Sequence, residues 1–417
     1  MKTMMEGPTL SLDTEKLNIV KSSAPVLKEH SKAIGTHFYE LLFAKAPELR
    51  HIFNQTNQKR GLQQEALVYS VYAAGENIDS LENIQQLVER IAEKHVSLGV
   101  KPEQYAVVGE ALLQAVKDVL GDAATDEIMD AWGEAYQYIA DLFIDLEQQK
   151  YADTLQQEGG WQGFRNFIVT EKVQETPDII TLTLKPQDGD SIPDYKAGQY
   201  LTLKLDIEGE PYTHMRQYSL CGPSGKDYYK IGVKREKGRN GMPDGVVSSY
   251  LHDHVAEGDI LPFSAPAGDF TIASEDKPLV LLSGGIGMTP VVGMLNTIAE
   301  QEPNRPVTYI HATQNSAAHA MKEQVEQLTA EHSNITTYVC YDSPSHADKT
   351  DQRYDKEGVV DLPWLQSILE SGNKADFYCC GPAPFMKAVD SALKAWGTTG
   401  ENRHYEVFNP VSVLNDA

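Results

Sequence analysis

The segment Gly284-Gly285-Ile286-Gly287-Met288-Thr289-Pro290 follows the apolar run PLVLLS at 278–283 and opens a helical pattern. Glycines at the junction of a strand and a helix let backbone N–H groups approach a phosphate. Downstream, Cys380-Gly381-Pro382 follows the apolar run DFYCC at 376–380. Because open α/β sheets bind ligands at the carboxyl edge of their strands, both loops are predicted to share one crevice. A tight turn that simply needs glycine is the alternative for the first loop, and a buried thiol is preferred for Cys379.

The residues around these loops alternate between strands and helices. The apolar runs VTYIHA (307–312) and ITTYVCY (335–341) are separated by helical stretches at 290–299, 319–330 and 384–396. This order predicts βαβ units on a parallel sheet, so we expect an α/β nucleotide-binding domain at 273–417.

Upstream of Lys277 the apolar residues alternate with a period of two. The segments FIVTEKV, IITLTLKP, GQYLTLKLDI and YYKIGVKR are separated by clusters of Pro, Gly and Asp. This pattern is typical of an antiparallel sheet or small barrel, which we place at 155–272.

Residues 10–150 show helical spacing instead. One apolar stripe over 26–43 predicts a single helix, a second stripe runs over 84–96, and Pro102 suits the first turn of another helix. Thr125 is predicted to cap a last helix that passes Phe143, with a domain boundary near 152. The predicted fold class is therefore multi-domain: an all-α domain, an antiparallel β-barrel and an α/β domain with a parallel sheet.

Composition narrows the classes of partner. The 417 residues include 60 Asp and Glu against 36 Lys and Arg, a formal charge of −24, which disfavours nucleic acid and anionic membranes. The four cysteines show no metal-binding spacing. The opening MKTMMEGPTL lacks a continuous apolar stretch, so we expect a cytoplasmic protein without membrane insertion.

The barrel segment carries polar and aromatic residues suited to a flavin. Arg216 can neutralise a diphosphate, Tyr218 can lie against a flat ring, and Ser219 can hydrogen-bond a ring nitrogen. A helix that starts near Gly245-Val246-Val247-Ser248 would direct its amides at the same phosphates.

Four motifs in order resemble the ferredoxin-NADP reductase superfamily over residues 155–410: RxYS, the glycine-and-Ser loop, GGxGxxP and CGP. The resemblance implies an FAD site and a site for NADH or NADPH, without deciding between the two donors. It assigns the flavin to Tyr200, Arg216, Gln217, Tyr218, Ser219, Gly245, Val247 and Ser248, with a C-terminal cap of Glu406, Val407, Phe408, Asn409 and Pro410. It assigns the nicotinamide nucleotide to Gly285, Ile286, Gly287, Met288, Thr289, Pro290, Cys380, Gly381 and Pro382.

A flavin that receives two electrons and releases them singly needs a one-electron acceptor, which we look for in residues 10–150. His95 continues the apolar stripe of Val88 and Ile91, so its imidazole is predicted to point inward as a possible axial ligand. Tyr39, Phe53 and the pair Gln63 and Leu67 could wall a distal pocket. Taken singly, each is better explained as a core or surface residue.

Taken together, residues 10–150 resemble the globin domain of flavohaemoglobins, the bacterial and yeast nitric oxide dioxygenases. The matching stretches are HFYELLF, IFNQTNQ, QQEAL, AEKHVSLGVKPEQY and AWGEAY. The resemblance implies one haem b on His95, with Tyr105 and Glu147 as its hydrogen-bonded partners. It further implies Tyr39, Phe53, Gln63 and Leu67 on the distal side, and Lys94 and Glu406 as residues that tune the haem and flavin potentials.

The resemblance implies an enzyme in which NAD(P)H reduces FAD, FAD reduces haem, and O2 held on ferrous haem oxidises NO to nitrate as a protection against nitrosative stress. We expect a monomer that needs no protein partner. Two alternatives stay open: an oxygen or redox sensor, and a reductase for an external acceptor such as a ferredoxin or an alkyl hydroperoxide. Departures from the family are a longer 237–245 segment, and Val407 and Asn409 where relatives often carry Cys and Gly.

Overall fold

The structure is a computed structural model that describes residues 12–53, 58, 61–238, 243–273 and 277–408. Its contacts divide the chain into two compact units. The first contains the residues up to Phe164 together with Lys204–Arg216, and the second contains Arg165–Leu203 and Gln217–Phe408.

The first unit is built from amphipathic helices that bury one shared core. Tyr39, Leu112 and Trp132 lie in that core together with residues of every long helix except α4. The helices are α1 Thr14–Glu29, α2 Ser31–Lys45, α3 Leu62–Glu76, α4 Gln85–Leu98, α5 Pro102–Leu120 and α6 Asp126–Gln156, with short 3-10 turns at Pro47–His51, Leu81–Ile84 and Gly121–Ala123.

One prediction about these helices is wrong. The single helix expected over 26–43 is two helices, because His30 leaves the helical region with φ −96° and ψ 13°. Leu27 and Ile34 pack into the same core from either side of this turn, so the apolar period continues through it. The last helix begins after the predicted cap Thr125 and continues to Gln156.

Glycines allow the helices to approach closely at two positions. A Cβ on Gly75 would lie 2.4 Å from the Trp132 ring, and one on Gly109 would lie 2.3 Å from the Tyr136 ring. The indole Nε1 of Trp132 donates to Ser23 Oγ at 2.9 Å. These contacts fix α6 against the helices that precede it.

The predicted antiparallel sheet is present, with six strands in the order β4-β3-β6-β1-β2-β5. A bridge from Leu220, just after β4, to Ile231 in β5 joins the two ends of this order, as in a barrel. The strands are β1 Phe164–Thr176, β2 Ile179–Pro186, β3 Tyr200–Leu205, β4 His214–Ser219, β5 Tyr229–Lys234 and β6 Ile260–Ser264, and the helix α7 Val246–Asp253 precedes β6.

The predicted parallel sheet also has six strands, in the order β10-β9-β8-β7-β11-β12. The strand order reverses next to β7, where β8 lies on one side and β11 on the other. The strands are β7 Leu279–Gly284, β8 Val307–Thr313, β9 Ile335–Tyr341, β10 Lys356–Glu357, β11 Asp376–Cys380 and β12 Arg403–Glu406. The helices are α8 Met288–Gln301, α9 Lys322–Glu331, α10 His346–Thr350, α11 Leu362–Ile368 and α12 Ala383–Ala395.

Within the second unit, helix α8 packs against both the barrel and the parallel sheet. Its residues from Met288 to Ala299 are all buried. A Cβ on Gly293 would lie 2.3 Å from the Leu220 carbonyl oxygen, and Asn296 Nδ2 donates to the Cys221 carbonyl oxygen at 2.9 Å. The middle of α8 is therefore held against the barrel, and its first turn contains the last three residues of the GGxGxxP motif. None of the described helices combines the length and apolar character needed to cross a membrane.

Candidate functional site

His95 lies in the last turn of α4, where the helix end is closely specified. Gly99 takes the left-handed conformation with φ 73° that favours glycine, and the Val100 N–H donates to the His95 carbonyl oxygen at 3.0 Å. The Tyr151 hydroxyl, from α6, reaches the carbonyl oxygens of Val96 at 3.3 Å and Val100 at 3.4 Å. The segment that carries His95 is thus attached to α6.

One nitrogen of the His95 ring is occupied by two partners. His95 Nδ1 lies 2.7 Å from Glu147 Oε1 and 3.0 Å from the Tyr105 hydroxyl oxygen. The Tyr105 hydroxyl donates to the same Glu147 oxygen at 2.5 Å. A carboxylate oxygen can only accept hydrogen bonds, so His95 Nδ1 and the Tyr105 hydroxyl must both donate to Glu147. The proton of a neutral His95 therefore resides on Nδ1. This leaves Nε2 as the nitrogen available to a metal.

Burial strengthens this arrangement. Glu147 is only 3% exposed, and Phe143 packs against the His95 ring with the ring centroids 5.9 Å apart. Burial, followed by the neighbouring Glu147 carboxylate, raises the pKa of the Tyr105 hydroxyl far above its ordinary value. Tyr105 therefore remains a hydrogen-bond donor. A carboxylate that accepts from the imidazole N–H makes the ring a stronger electron donor toward a metal on Nε2.

Tyr39 lies in an aromatic group in the core of the first unit. Its ring is 5.3 Å from that of Phe53 and 5.6 Å from that of Phe43, and its side chain is 5% exposed. Burial raises the pKa of the Tyr39 hydroxyl, while a hydrogen bond with the Gln58 side chain acts in the opposite direction. Tyr39 thus stays protonated and can donate to a ligand. Leu67 packs against the same core.

The buried amides of this region suit the group that the sequence implies. Gln63 Oε1 is buried and has no hydrogen-bond partner among the described residues. Since buried polar atoms are almost always paired, an orphan of this kind is expected where a ligand belongs. A single imidazole that offers Nε2, as His95 does, is also the protein donor that a haem iron needs. The residues present therefore fit a haem.

Gln58 was missed by the sequence reasoning. Gln64 Nε2 donates to the Gln58 carbonyl oxygen at 3.0 Å and to Gln58 Oε1 at 3.1 Å, which fixes the amide beside Tyr39. Its only sequence signal is its place in the turn-rich stretch after Phe53, of which residues 54–57 lie outside the described part. Periodicity gives no information in such a stretch.

The residues assigned to the flavin lie on the barrel strands. Tyr200 opens β3, and its ring lies over Gly268, where a Cβ would be 3.0 Å from it. Arg216, Gln217, Tyr218 and Ser219 are consecutive on β4, so their side chains alternate between its two faces. Tyr218 and Arg216 are partly exposed, whereas Ser219 is buried.

The expected phosphate loop begins a helix as predicted. Ser248, in the first turn of α7, donates to the Gly245 carbonyl oxygen at 3.1 Å and accepts from the Glu236 N–H at 3.1 Å. Val247 is buried beneath this turn. Residues 239–242 of the longer segment lie outside the described residues.

The two loops predicted to share a crevice touch one another. A Cβ on Gly287 would lie 2.3 Å from the Cys380 carbonyl oxygen, and one on Gly381 would lie 3.0 Å from Gly284 N. Gly285 has φ 51°, which favours glycine. The glycines therefore allow the two loops to approach each other closely and allow a backbone conformation with positive φ. Both loops lie at the point where the strand order reverses. Ile286, Met288, Thr289 and Pro290 complete the turn into α8, and Pro382 caps α12.

The remaining assigned residues are less enclosed. Glu406 ends β12 and accepts from the Val407 N–H at 2.9 Å, and Phe408 is 52% exposed. Asn409 and Pro410 lie outside the described residues. Lys94 is exposed on α4, one residue before His95.

Sequence profiles of three domain families match consecutive parts of the chain. The globin family matches residues 36–143, the oxidoreductase FAD-binding domain matches 166–272, and the oxidoreductase NAD-binding domain matches 281–391. Fold and site therefore define a globin joined to a flavin- and nicotinamide-dependent oxidoreductase module.

Full-length relatives narrow this class. The flavohemoprotein of Bacillus anthracis is 50% identical over 404 residues, which is 97% of this chain and 100% of that protein. The flavohemoprotein of Halalkalibacterium halodurans is 48% identical over 411 residues, covering 98% of this chain and 99% of that protein. The chain belongs to the flavohemoprotein family.

Solved structures agree with this result. The flavohemoglobin of Malassezia yamatoensis, determined with bound FAD and heme, matches 95% of this chain and 100% of its own with a TM-score of 0.83 and 27% identity. The FAD/NAD-binding domain of the nitric oxide dioxygenase from Vibrio cholerae matches 58% of this chain and 98% of its own with a TM-score of 0.53 and 36% identity.

Proposed function

We propose that this protein is a nitric oxide dioxygenase that uses NADH or NADPH, FAD and one haem to convert NO and O2 into nitrate. The observation that carries the proposal is the pair of contacts from Glu147 and Tyr105 to His95 Nδ1. An oxygen carrier has no need of a carboxylate that pushes electron density toward the metal, whereas an oxidation reaction does. The named activity of the Vibrio cholerae relative supports the same reaction.

When bound, the haem supplies an iron that takes up O2, and the flavin supplies a carrier that accepts a hydride and releases electrons singly. His95 would hold the iron through Nε2. Tyr105 and Glu147 keep the His95 proton on Nδ1 and orient the ring. Tyr39 offers a hydroxyl proton on the distal side, where Gln63 and Leu67 shape access for small gases.

The FAD-binding and NAD-binding domains would deliver the electrons. Tyr200 and Arg216 through Ser219 would hold the flavin, Gly245 and Ser248 its diphosphate, and the cap at 406–410 its ring. Gly285–Pro290 and Cys380–Pro382 would hold the nicotinamide nucleotide. We propose domain limits of 10–150, 155–272 and 273–417. Because all three domains are in one chain, no separate reductase is needed. We further propose that the protein is a cytoplasmic monomer.

The test is the product of the reaction. Purified protein loaded with haem and FAD should form nitrate from NO, O2 and NADH, with about one NADH used for every two NO, since each nitrate needs one electron. The His95→Ala variant should retain FAD, lose haem and form no enzymatic nitrate. Accumulation of nitrous oxide in place of nitrate under air would contradict the proposal.

A further inference from the structure

Buried polar side chains lie directly beneath the Gly284–Pro290 turn. In the strand register, Ser283 of β7 lies between His311 of β8 and Cys380 of β11. Ser283 and His311 are both fully buried. Ser283 Oγ lies 2.8 Å from His311 Nδ1 and 3.1 Å from the Tyr309 hydroxyl oxygen. The last residue before the turn is therefore held by two side chains of the next strand.

A second imidazole lies against the first. His319, in the connection between β8 and α9, has its ring centroid 4.6 Å from that of His311, with the planes inclined by 34°. His319 Nδ1 lies 2.9 Å from the Tyr341 hydroxyl oxygen at the end of β9, and its residue is 7% exposed. Through Ser283 and Tyr341, the two imidazoles thus link the strands β7, β8 and β9 near their carboxyl ends. Open α/β sheets bind nucleotides at this edge.

Both imidazoles are neutral at neutral pH. Burial lowers the pKa of His311 well below its ordinary value, and burial lowers the pKa of His319 to about 4. Ser283 has one proton, which it donates to Tyr309. A His311 protonated on Nδ1 then donates to Ser283, and its Nε2 has no hydrogen-bond partner among the described residues.

The connection that carries His319 is held at several points. Thr313 Oγ1 donates to the Ala318 carbonyl oxygen at 3.2 Å, and the Met321 N–H donates to Glu175 Oε2, on the barrel strand β1, at 3.1 Å. Met321 has φ 53°, an unfavourable value for a residue other than glycine. Such a conformation persists only where its surroundings fix it, and it is common beside functional sites.

We propose that His311 and His319 are positioning residues for the nicotinamide nucleotide. The two imidazoles fix the turn after Ser283 and the 314–321 segment, and the diphosphate and ribose of the nucleotide lie between these two segments. Apolar side chains in place of the two histidines would fill the same space, but they would not fix the orientation of the neighbouring side chains and loops. A set of hydrogen bonds that is mutually satisfied specifies one arrangement of the strands and loops. The inference depends on the NAD-binding domain and not on the reaction at the haem.

The test follows anaerobic reduction of the flavin by NADH in the full-length holoprotein. His311→Leu and His319→Phe retain bulk but lose the hydrogen bonds to Ser283 and Tyr341. We expect the NADH concentration at half-maximal rate to rise about ten-fold or more, with the limiting rate changed by less than about two-fold. His311→Gln, whose amide can donate to Ser283, should recover most of the affinity.

The matched control is Leu282→Ala, which removes buried volume from the neighbouring position on the opposite face of β7. It should lower the melting temperature without changing the affinity for NADH. Flavin content and reduction by dithionite verify that each variant folds. Half-saturation values within about two-fold of the parent in both His variants, or an equal rise in Leu282→Ala, would overturn the proposal. NO turnover does not enter this experiment, so its failure is separable from that of the proposed reaction.

Discussion

At the scale of single residues, Glu147 has the largest influence on the proposed chemistry. Glu147 accepts hydrogen bonds from both His95 and Tyr105, and its residue is only 3% exposed. Its negative charge therefore acts on the imidazole with little screening by water. A charge held in this position stabilises the ferric over the ferrous state of a metal on His95.

Glu147→Gln retains the size and acceptor oxygen of the side chain and removes its charge. We expect the haem midpoint potential to become more positive by about 60 mV or more, corresponding to about a ten-fold shift of the equilibrium toward ferrous iron. Spectroelectrochemical titration measures this directly. Glu110→Gln, at an exposed carboxylate on α5 that pairs with Lys45, is the control and should leave the potential unchanged. Equal potentials in parent and Glu147→Gln would remove the basis for an electron-donating His95.

Tyr39 provides the corresponding prediction for the distal side. Tyr39→Phe retains the packing against Phe43 and Phe53 but loses the hydroxyl donor. Haem content should be unchanged, and O2 should dissociate about ten- to a hundred-fold faster, because hydrogen bonds to charged or strongly polar acceptors contribute about 1.5–3 kcal/mol. Flash photolysis or stopped-flow displacement of O2 gives the rate. An unchanged rate would mean that another residue, for which Gln63 is the first choice, donates to the ligand.

At the scale of elements, strands were easier to predict than helix ends. The segments 179–186 and 335–341 were both marked by their alternating or apolar composition, and each is a strand with those limits. The turn at His30 was missed because two helices that cover one core share a continuous apolar stripe. Contacts such as Gly287 against Cys380 were also beyond the sequence, since no pattern reports how close two distant loops come.

The His319 imidazole leads to a prediction about stability and pH. Burial and, less strongly, Lys322 lower its pKa from 6.5 to about 4. The titratable rings in contact with it are those of His311 and Tyr341. A native state that binds the proton less tightly than the unfolded chain loses stability as the pH falls from about 6.5 toward 4. The loss assigned to His319 is about 3 kcal/mol.

Chemical denaturation of the full chain at pH 7 and pH 4.5 tests this point. His319→Phe should be less stable than the parent at pH 7, because it loses the contact with Tyr341. The difference between the two proteins should shrink or reverse at pH 4.5. Since all carboxylates are common to both proteins, their own titration cancels. A difference that stays constant across this range would show that His319 is not held neutral in the native state.

At the scale of the whole molecule, the order of three domains could be predicted because each has its own sequence period and its own motifs. Residues 36–143, 166–272 and 281–391 match a globin, an FAD-binding and an NAD-binding family, respectively. The motif residues that lie in strand and helix termini were within reach of sequence reasoning. Gln58, Ser283 and His311 were not, because their importance arises from partners distant in the chain or in irregular segments.

The proposed function requires that electrons pass from a nicotinamide nucleotide through the flavin to a haem on His95 within one chain. The direct measurement is anaerobic stopped-flow spectroscopy of the holoprotein mixed with NADH. We predict that flavin absorbance falls first, that the Soret band then shifts to its ferrous position, and that the second rate is independent of protein concentration. Haem that stays ferric while the flavin is reduced, or a second rate that increases in proportion to protein concentration, would contradict it.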